Sequence, residues 1–200
     1  MWTYNNFPKD VLKQKHGVAV DDKWLEHVRL SSARLAQGCS ASFVSPDGLV
    51  MTNHHCAHSC IEHLSTAERD LVKNGYTAKT EAEELRCPEV EVNQLEEISD
   101  VTERVRKATA GLSDQKYNEV EKAELSRIEK ECVQAASPGG TAASDVRCDV
   151  VSLYRGGVYN LYKYRRYQDV RLAFAPEMAI GFFGGDPDNF NFPRYVLDVA

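Results

Sequence analysis

No stretch of the 200-residue chain approaches the roughly 20 consecutive apolar residues that a membrane-spanning helix requires. The opening Met1-Trp2-Thr3-Tyr4 is not a charged region followed by an apolar one, so neither an anchor nor a signal peptide is expected within the chain. Basic runs are also scarce. The 24 Lys and Arg face 30 Asp and Glu for a net charge of -6, and no cluster exceeds Arg165-Arg166 beside Lys163, which argues against nucleic acid as a partner. Internal repeats and low-complexity segments are missing too, so nothing points to a solenoid or a disordered tract.

What is present is an ordinary globular composition, 42% hydrophobic and 27% charged, enough for one domain and part of a second. Six cysteines stand at positions 39, 56, 60, 87, 132 and 148, an even number that fits an oxidising compartment. Six cysteines allow about 15 pairings, so parity alone fixes none of them. Cys39 and Cys56 flank two short strands joined by the turn Ser45-Pro46-Asp47-Gly48, and an antiparallel return brings them side by side. A Cys39–Cys56 disulfide is therefore expected, with Cys60–Cys87 and Cys132–Cys148 as the next pairs to test. The last residues, Tyr195-Val196-Leu197-Asp198-Val199-Ala200, alternate like a half-buried strand that stops at the final position. The chain is accordingly expected to be a fragment of a longer protein whose secretion signal lies elsewhere.

Strands dominate the expected fold: 41–44 and 49–52 as a hairpin, 89–95, 146–154 and 158–164 around Arg155-Gly156-Gly157, then 169–175 and 178–183. Helices are expected over 98–112, opened by an Asp100/Glu103 capping box, and over 114–136. In the longer one Leu125, Ile128, Cys132 and Ala135 form an apolar stripe, while Glu121, Lys122, Glu124, Glu129 and Lys130 make a solvated face. Another helix is expected near Trp24, Leu25 and Val28, with Trp2, Tyr4 and Phe7 packed on the body. The fold class is mainly β with helices, of the barrel or sandwich type.

His54, His55, Cys56, His58, Cys60 and His63 crowd ten residues. Zinc uses such ligands, but a structural site needs a second ligand pair at a distance, and no second cluster follows residue 63. Histidines without chemistry and a catalytic base are the other readings. The base explains both the strand before the cluster and the cysteines that bracket it.

The segment from Gly38 to Cys56, with TNHHC after DGLVM, resembles the start of the S46 family of dipeptidyl peptidases, bacterial serine proteases with a chymotrypsin-like double β-barrel and a large helical insert. Two further stretches resemble that family: the opening Met1-Trp2-Thr3-Tyr4-Asn5-Asn6-Phe7-Pro8, and the run Phe183-Gly184-Gly185-Asp186-Pro187-Asp188-Asn189-Phe190-Asn191-Phe192-Pro193-Arg194. The resemblance implies that residues 1–200 are the N-terminal part of a trypsin-like catalytic domain containing its first barrel. The helical insert and the second barrel with the nucleophile would lie outside the chain.

By that resemblance His55 matches the general base, with Cys56 as its structural clamp and His54 as bystander. Adjacent side chains of an extended segment face opposite sides, so only one of the two histidines can face the cleft. Asp198 matches the orienting carboxylate ahead of Asp186 and Asp188, because a charge inside an apolar strand needs a dedicated partner. Here the family's His-Thr-Gly between Arg and Asp is replaced by Tyr195-Val196-Leu197. By the same resemblance Asn189 would help hold the substrate's free α-amino group, and Phe190 stands where relatives often have a tryptophan that packs beside it. The motif around Asp186 could otherwise be a plain turn; as a calcium loop it lacks the required glycine and glutamate, at Asn191 and Leu197.

Ser40, Ser42 and Ser59 lie near the histidines without a glycine-rich elbow, so none is expected to be the nucleophile and the 200 residues alone are expected to be inactive. The expected activity of the whole protein is a serine-type dipeptidyl peptidase, periplasmic or secreted, acting on peptides with a free N-terminus. No cofactor or metal is expected, and a homodimer is compatible with the sequence. Two alternatives stand: a non-catalytic zinc module built on His54–His63, and a chymotrypsin-like endopeptidase.

Overall fold

The computed structural model describes residues 2–136, 145–181 and 197–200. In chain order the helices are α1 (Lys9–His16), α2 (Asp22–Ser31), α3 (His54–Leu64), α4 (Leu71–Asn74), α5 (Thr102–Thr109), α6 (Asp114–Ala136) and α7 (Met178–Gly181). The strands are β1 (Ser32–Leu35), β2 (Ser40–Phe43), β3 (Val50–Met51), β4 (Tyr76–Thr77), β5 (Leu85–Arg86), β6 (Val92–Asp100), β7 (Val146–Leu153), β8 (Val158–Tyr167), β9 (Arg171–Leu172) and β10 (Phe174–Ala175). This is a mixed fold of helices and antiparallel sheet rather than a mainly β one, and no closed barrel forms among the described residues.

The chain divides into two compact units, Met1–Leu30 with Asn93–Arg166, and Ser31–Val92 with Tyr167–Ala200. In the first, β6, β8 and β7 lie side by side, and β7 and β8 form a hairpin in register from Val146 opposite Arg165 to Leu153 opposite Val158. Its turn puts Tyr154 and Arg155 at φ 51° and 56° and Gly156 at 86°. Val105, Ile128 and Tyr159 form the buried core there.

Helix α6, Asp114–Ala136, has the expected bounds, and the sequence Pro138-Gly139-Gly140 follows shortly after it. Its charged face differs from expectation. Glu124 is buried, its carboxylate 2.7 Å from both Arg104 and Arg127, and Arg104 also reaches Glu131 at 2.8 Å. Glu129 accepts the Val150 amide at 2.8 Å, and Glu121 accepts the Tyr159 hydroxyl. These carboxylates lace the helix to its neighbours, since a charge at a packed face must find a partner.

Three other expectations shift. The strand placed at 89–95 begins at Val92 and runs to Asp100, so Ile98 lies in β6 and α5 starts only at Thr102, whose amide donates to Asp100 at 2.8 Å. The strand placed at 178–183 is helical over its described part, α7. Trp2, expected to pack on the body, is 66% exposed.

The second unit holds the site. Its antiparallel ladder runs β1–β2–β3, pairing Ala33 with Ala41 and Phe43 with Val50, and the β2–β3 turn closes through Val44 N–H to Leu49 O at 2.9 Å. Leu35, Ile61, Leu71, Val92, Leu172 and Ala175 form the core. Helix α3 turns Cys56, Cys60, Ile61 and Leu64 toward it, a spacing that keeps side chains on one helical face. Disulfides Cys39–Cys56 and Cys60–Cys87 fasten that helix to the strands before it and the loop after it, and Cys132–Cys148 joins α6 to β7 in the first unit. Gly75, at φ 69°, allows a backbone approach that no other residue permits: a Cβ there would lie 2.8 Å from the Ala175 carbonyl.

Candidate active site

The site forms where the first turn of α3 meets residues 197–200. Thr52 and Ala200 exchange both backbone hydrogen bonds, at 2.8 and 2.9 Å, and the Leu197 amide donates to Ile180 O at 2.7 Å. Residues 197–200 are thus held from two sides without forming a strand, which departs from the strand expected over 195–200; Tyr195 itself lies outside the described residues.

Between those anchors Asp198 faces His55. Its Oδ1 accepts the His55 backbone amide at 3.0 Å, and its Oδ2 lies 2.8 Å from His55 Nδ1. Asn53 adds a third contact, its Nδ2 donating to Oδ2 at 3.2 Å and to the Asp198 carbonyl at 3.3 Å. Burial of the Asp198 carboxyl, whose side chain is 12% exposed, pushes its pKa up, but hydrogen bonds from the His55 amide and ring and from Asn53 outweigh that and hold it below the ordinary carboxylate value. Asp198 is therefore ionised at neutral pH. An ionised carboxylate only accepts, so Nδ1 must carry the proton and Nε2 of the neutral ring is left with the lone pair. The His55 side chain is 47% exposed and the ring is positioned to serve as a base.

His54 and His55 start a helix rather than ending a strand, so the alternation argument that separated them does not apply. Successive helical side chains are about 100° apart, and that offset still sends His54 inward, 1% exposed, while His55 stays at the surface. His58 pairs with Glu62 one turn on, at 3.1 Å. Cys39, His55 and Cys56 place ligand-type atoms within 4.8 Å of one another, but the two sulfurs are bonded to each other and have no thiolate to offer a metal. Cys60 is likewise joined to Cys87, so the His54–His63 cluster has lost its sulfur donors for zinc.

Asn189 and Phe190, together with Asp186, Asp188 and the rest of 183–194, lie outside the described residues. Asn53 escaped the sequence reading. An Asn before a segment with Cys56, Cys60, Ile61 and Leu64 at helical spacing is a helix-start signal, and it marked both α3 and a polar side chain beside His55. In the structure Asn53 holds the N-cap position of α3 yet spends its side chain on Asp198 rather than on the helix.

The model of the peptidase S46 family matches residues 1–200. The chain belongs to the peptidase S46 family. Its relatives include dipeptidyl-peptidase 7 of Phocaeicola vulgatus, 34% identical over 163 residues, and the Asp/Glu-specific dipeptidyl-peptidase of Capnocytophaga gingivalis, 38% identical over 163 residues. Each match covers 82% of this chain and 22% of the relative, so the chain spans about a fifth of the length of these S46 peptidases. The crystal structure of Porphyromonas endodontalis DPP11 in complex with the dipeptide Arg-Glu is similar at a TM-score of 0.78 with 27% identity, covering 100% of this chain and 30% of that one.

Proposed function

We propose that this S46 chain supplies the base and its orienting carboxylate to a serine-type dipeptidyl peptidase that releases dipeptides from the free N-terminus of oligopeptides. The observation that carries the reading is the double hold of Asp198 on His55, through the backbone amide and Nδ1 together. In the proposed reaction Nε2 of His55 removes the proton from a serine hydroxyl as it attacks the scissile carbonyl, then returns it to the leaving amine. Asp198 fixes the tautomer and steadies the imidazolium formed between those steps. The serine and the oxyanion donors are assigned to chain outside these 200 residues, a division supported by the share of its relatives that this sequence spans.

The strands around His55 are assigned to the first barrel of a chymotrypsin-like pair, and Asn189 and Phe190 to the recognition of the substrate's α-amino group. Anchoring that amine at a fixed distance from the nucleophile limits release to dipeptides. Three disulfides and the relatives' activity favour a periplasmic or secreted location.

The test uses the full-length enzyme with a peptide bearing a free N-terminus and the same peptide N-acetylated. The dipeptidyl-peptidase reading expects loss of cleavage on acetylation and on His55→Ala. Equal cleavage of both peptides would instead favour an endopeptidase, and activity surviving His55→Ala would remove His55 as base.

A further inference from the structure

His54 has no part in the proton transfers above, yet it is among the most buried side chains of its unit at 1% exposure. Neither ring nitrogen has a hydrogen-bond partner of acceptable distance and angle. Burial pushes its pKa down; the Pro176 backbone pulls the other way without forming a well-aligned hydrogen bond, and burial wins, which favours the neutral ring. A buried polar ring making no hydrogen bond is costly, so its retention needs a reason.

Contact with Gly181 supplies one. A Cβ on Gly181 would fall 2.7 Å from His54 Cγ and Cδ2 and 2.9 Å from Nδ1, so the α7 backbone lies directly on the imidazole. The residue before Gly181 is Ile180, whose carbonyl takes the Leu197 amide at 2.7 Å. Leu197 precedes Asp198, and Asp198 grips the amide and ring of His55, the neighbour of His54. The contacts therefore form a closed circuit that begins and ends on the first turn of α3.

We propose that His54 is a positioning residue: its ring, seated against Gly181, sets the place of α7 and, through Ile180 and Leu197, the alignment of Asp198 with His55. The inference rests on the reading of His55 as base. What acts is the shape of the ring pressed against the Gly181 backbone. A methyl at Gly181 pushes α7 away, and removal of the ring lets α7 settle inward. Either change displaces Asp198 by a fraction of an ångström, and misplacements of about 1 Å cost on the order of 100-fold in rate.

The experiment compares full-length wild type, Gly181→Ala, His54→Ala, His54→Phe, the Gly181→Ala/His54→Ala double variant and His55→Ala. Steady-state kinetics and the downfield proton resonance of the His55 Nδ1–H are the readouts. Gly181→Ala and His54→Ala are expected to lower kcat on the order of 10- to 100-fold with KM little changed, and to weaken that resonance. His54→Phe, which restores a flat ring, is expected to recover most of kcat. In the double variant the methyl fills space the ring has left, so the two losses are expected to be strongly non-additive.

Additive losses, or an unchanged resonance and kcat per folded molecule in both single variants, would overturn the proposal. So would a His54→Phe variant as impaired as His54→Ala, because the nitrogens would then matter. Should Gly181→Ala fail to fold, His54→Ala and His54→Phe still decide between these outcomes. An active His55→Ala would instead discard the reading of the base itself. An inactive one, with both single variants at wild-type kcat, would discard only the role of His54.

Discussion

Asp198 turns both carboxylate oxygens to His55, Oδ1 to its amide and Oδ2 to its ring, with Asn53 also donating to Oδ2. The backbone contact fixes where the carboxylate sits and the side-chain contact fixes how the imidazole is turned, so position and tautomer come from a single group.

Asp198→Asn keeps the shape and loses the charge. Its carboxamide can accept through only one atom, so either the His55 amide or Nδ1 loses its acceptor and the tautomer with a free Nε2 is no longer enforced. In the full-length enzyme kcat is expected to fall by about 10⁴-fold, the loss known for the equivalent change in a serine-protease triad, with KM nearly unchanged. Steady-state kinetics on a dipeptidyl substrate check this.

The same carboxyl makes stability depend on pH. Its folded pKa is below the unfolded value of about 3.9, so its contribution is fully present above that pH and is lost as the pH falls through the folded value. Denaturant unfolding of wild type and Asp198→Asn is expected to show a gap at pH 7 that narrows as the pH drops below about 4. A gap that failed to narrow below about pH 4 would contradict the lowered pKa of Asp198.

Cys39–Cys56 closes a short loop, 17 residues apart in sequence, that contains the turn and His55. Replacing both cysteines with serine is expected to remove about 3 kcal/mol of stability, read as a shift in the denaturation midpoint. Nonreducing peptide mapping should recover 39–56, 60–87 and 132–148 as the linked pairs.

Glu124 tests the buried network of α6. Glu124→Ala strips two guanidinium groups of a shared acceptor, but the Arg104 and Arg127 side chains are 38% and 62% exposed and can turn to water. A cost of about 1–3 kcal/mol is expected, with no change in the activity of the folded enzyme. Thermal unfolding and kinetics on one preparation separate the two effects.

Elements with their own punctuation were legible in the sequence. Helix α6 over Asp114–Ala136 and the β7–β8 hairpin at Arg155-Gly156-Gly157 were both expected, because local chemistry there agrees with the fold. Helices α3 and α7 were hidden. His54-His55-Cys56 offers no strong helix propensity, and four residues such as Met178–Gly181 look alike as helix or strand until tertiary contacts decide.

The contact of His55 with Asp198 was signalled by the family resemblance and by a charge set in an apolar run, since the two residues are 143 positions apart and no local rule joins them. Asn53 and Gly181 were beyond reach for another reason. Their importance lies in which ring or carboxylate they touch, and those contacts exist only once the chain has closed. Glu124 was misplaced in the same way, because its arginine partner Arg104 comes from a helix 20 residues away.

The reciprocal pair between Thr52 and Ala200 gives the dyad a quantised register. Two backbone bonds in opposite directions fix the register of the segment carrying Asp198: a slip by one residue, about 3.3 Å, would carry the carboxylate beyond reach of Nδ1, while shifts of a fraction of an ångström stay within that register. A register slip would therefore abolish the His55–Asp198 contact outright, whereas strain within the register only loosens it.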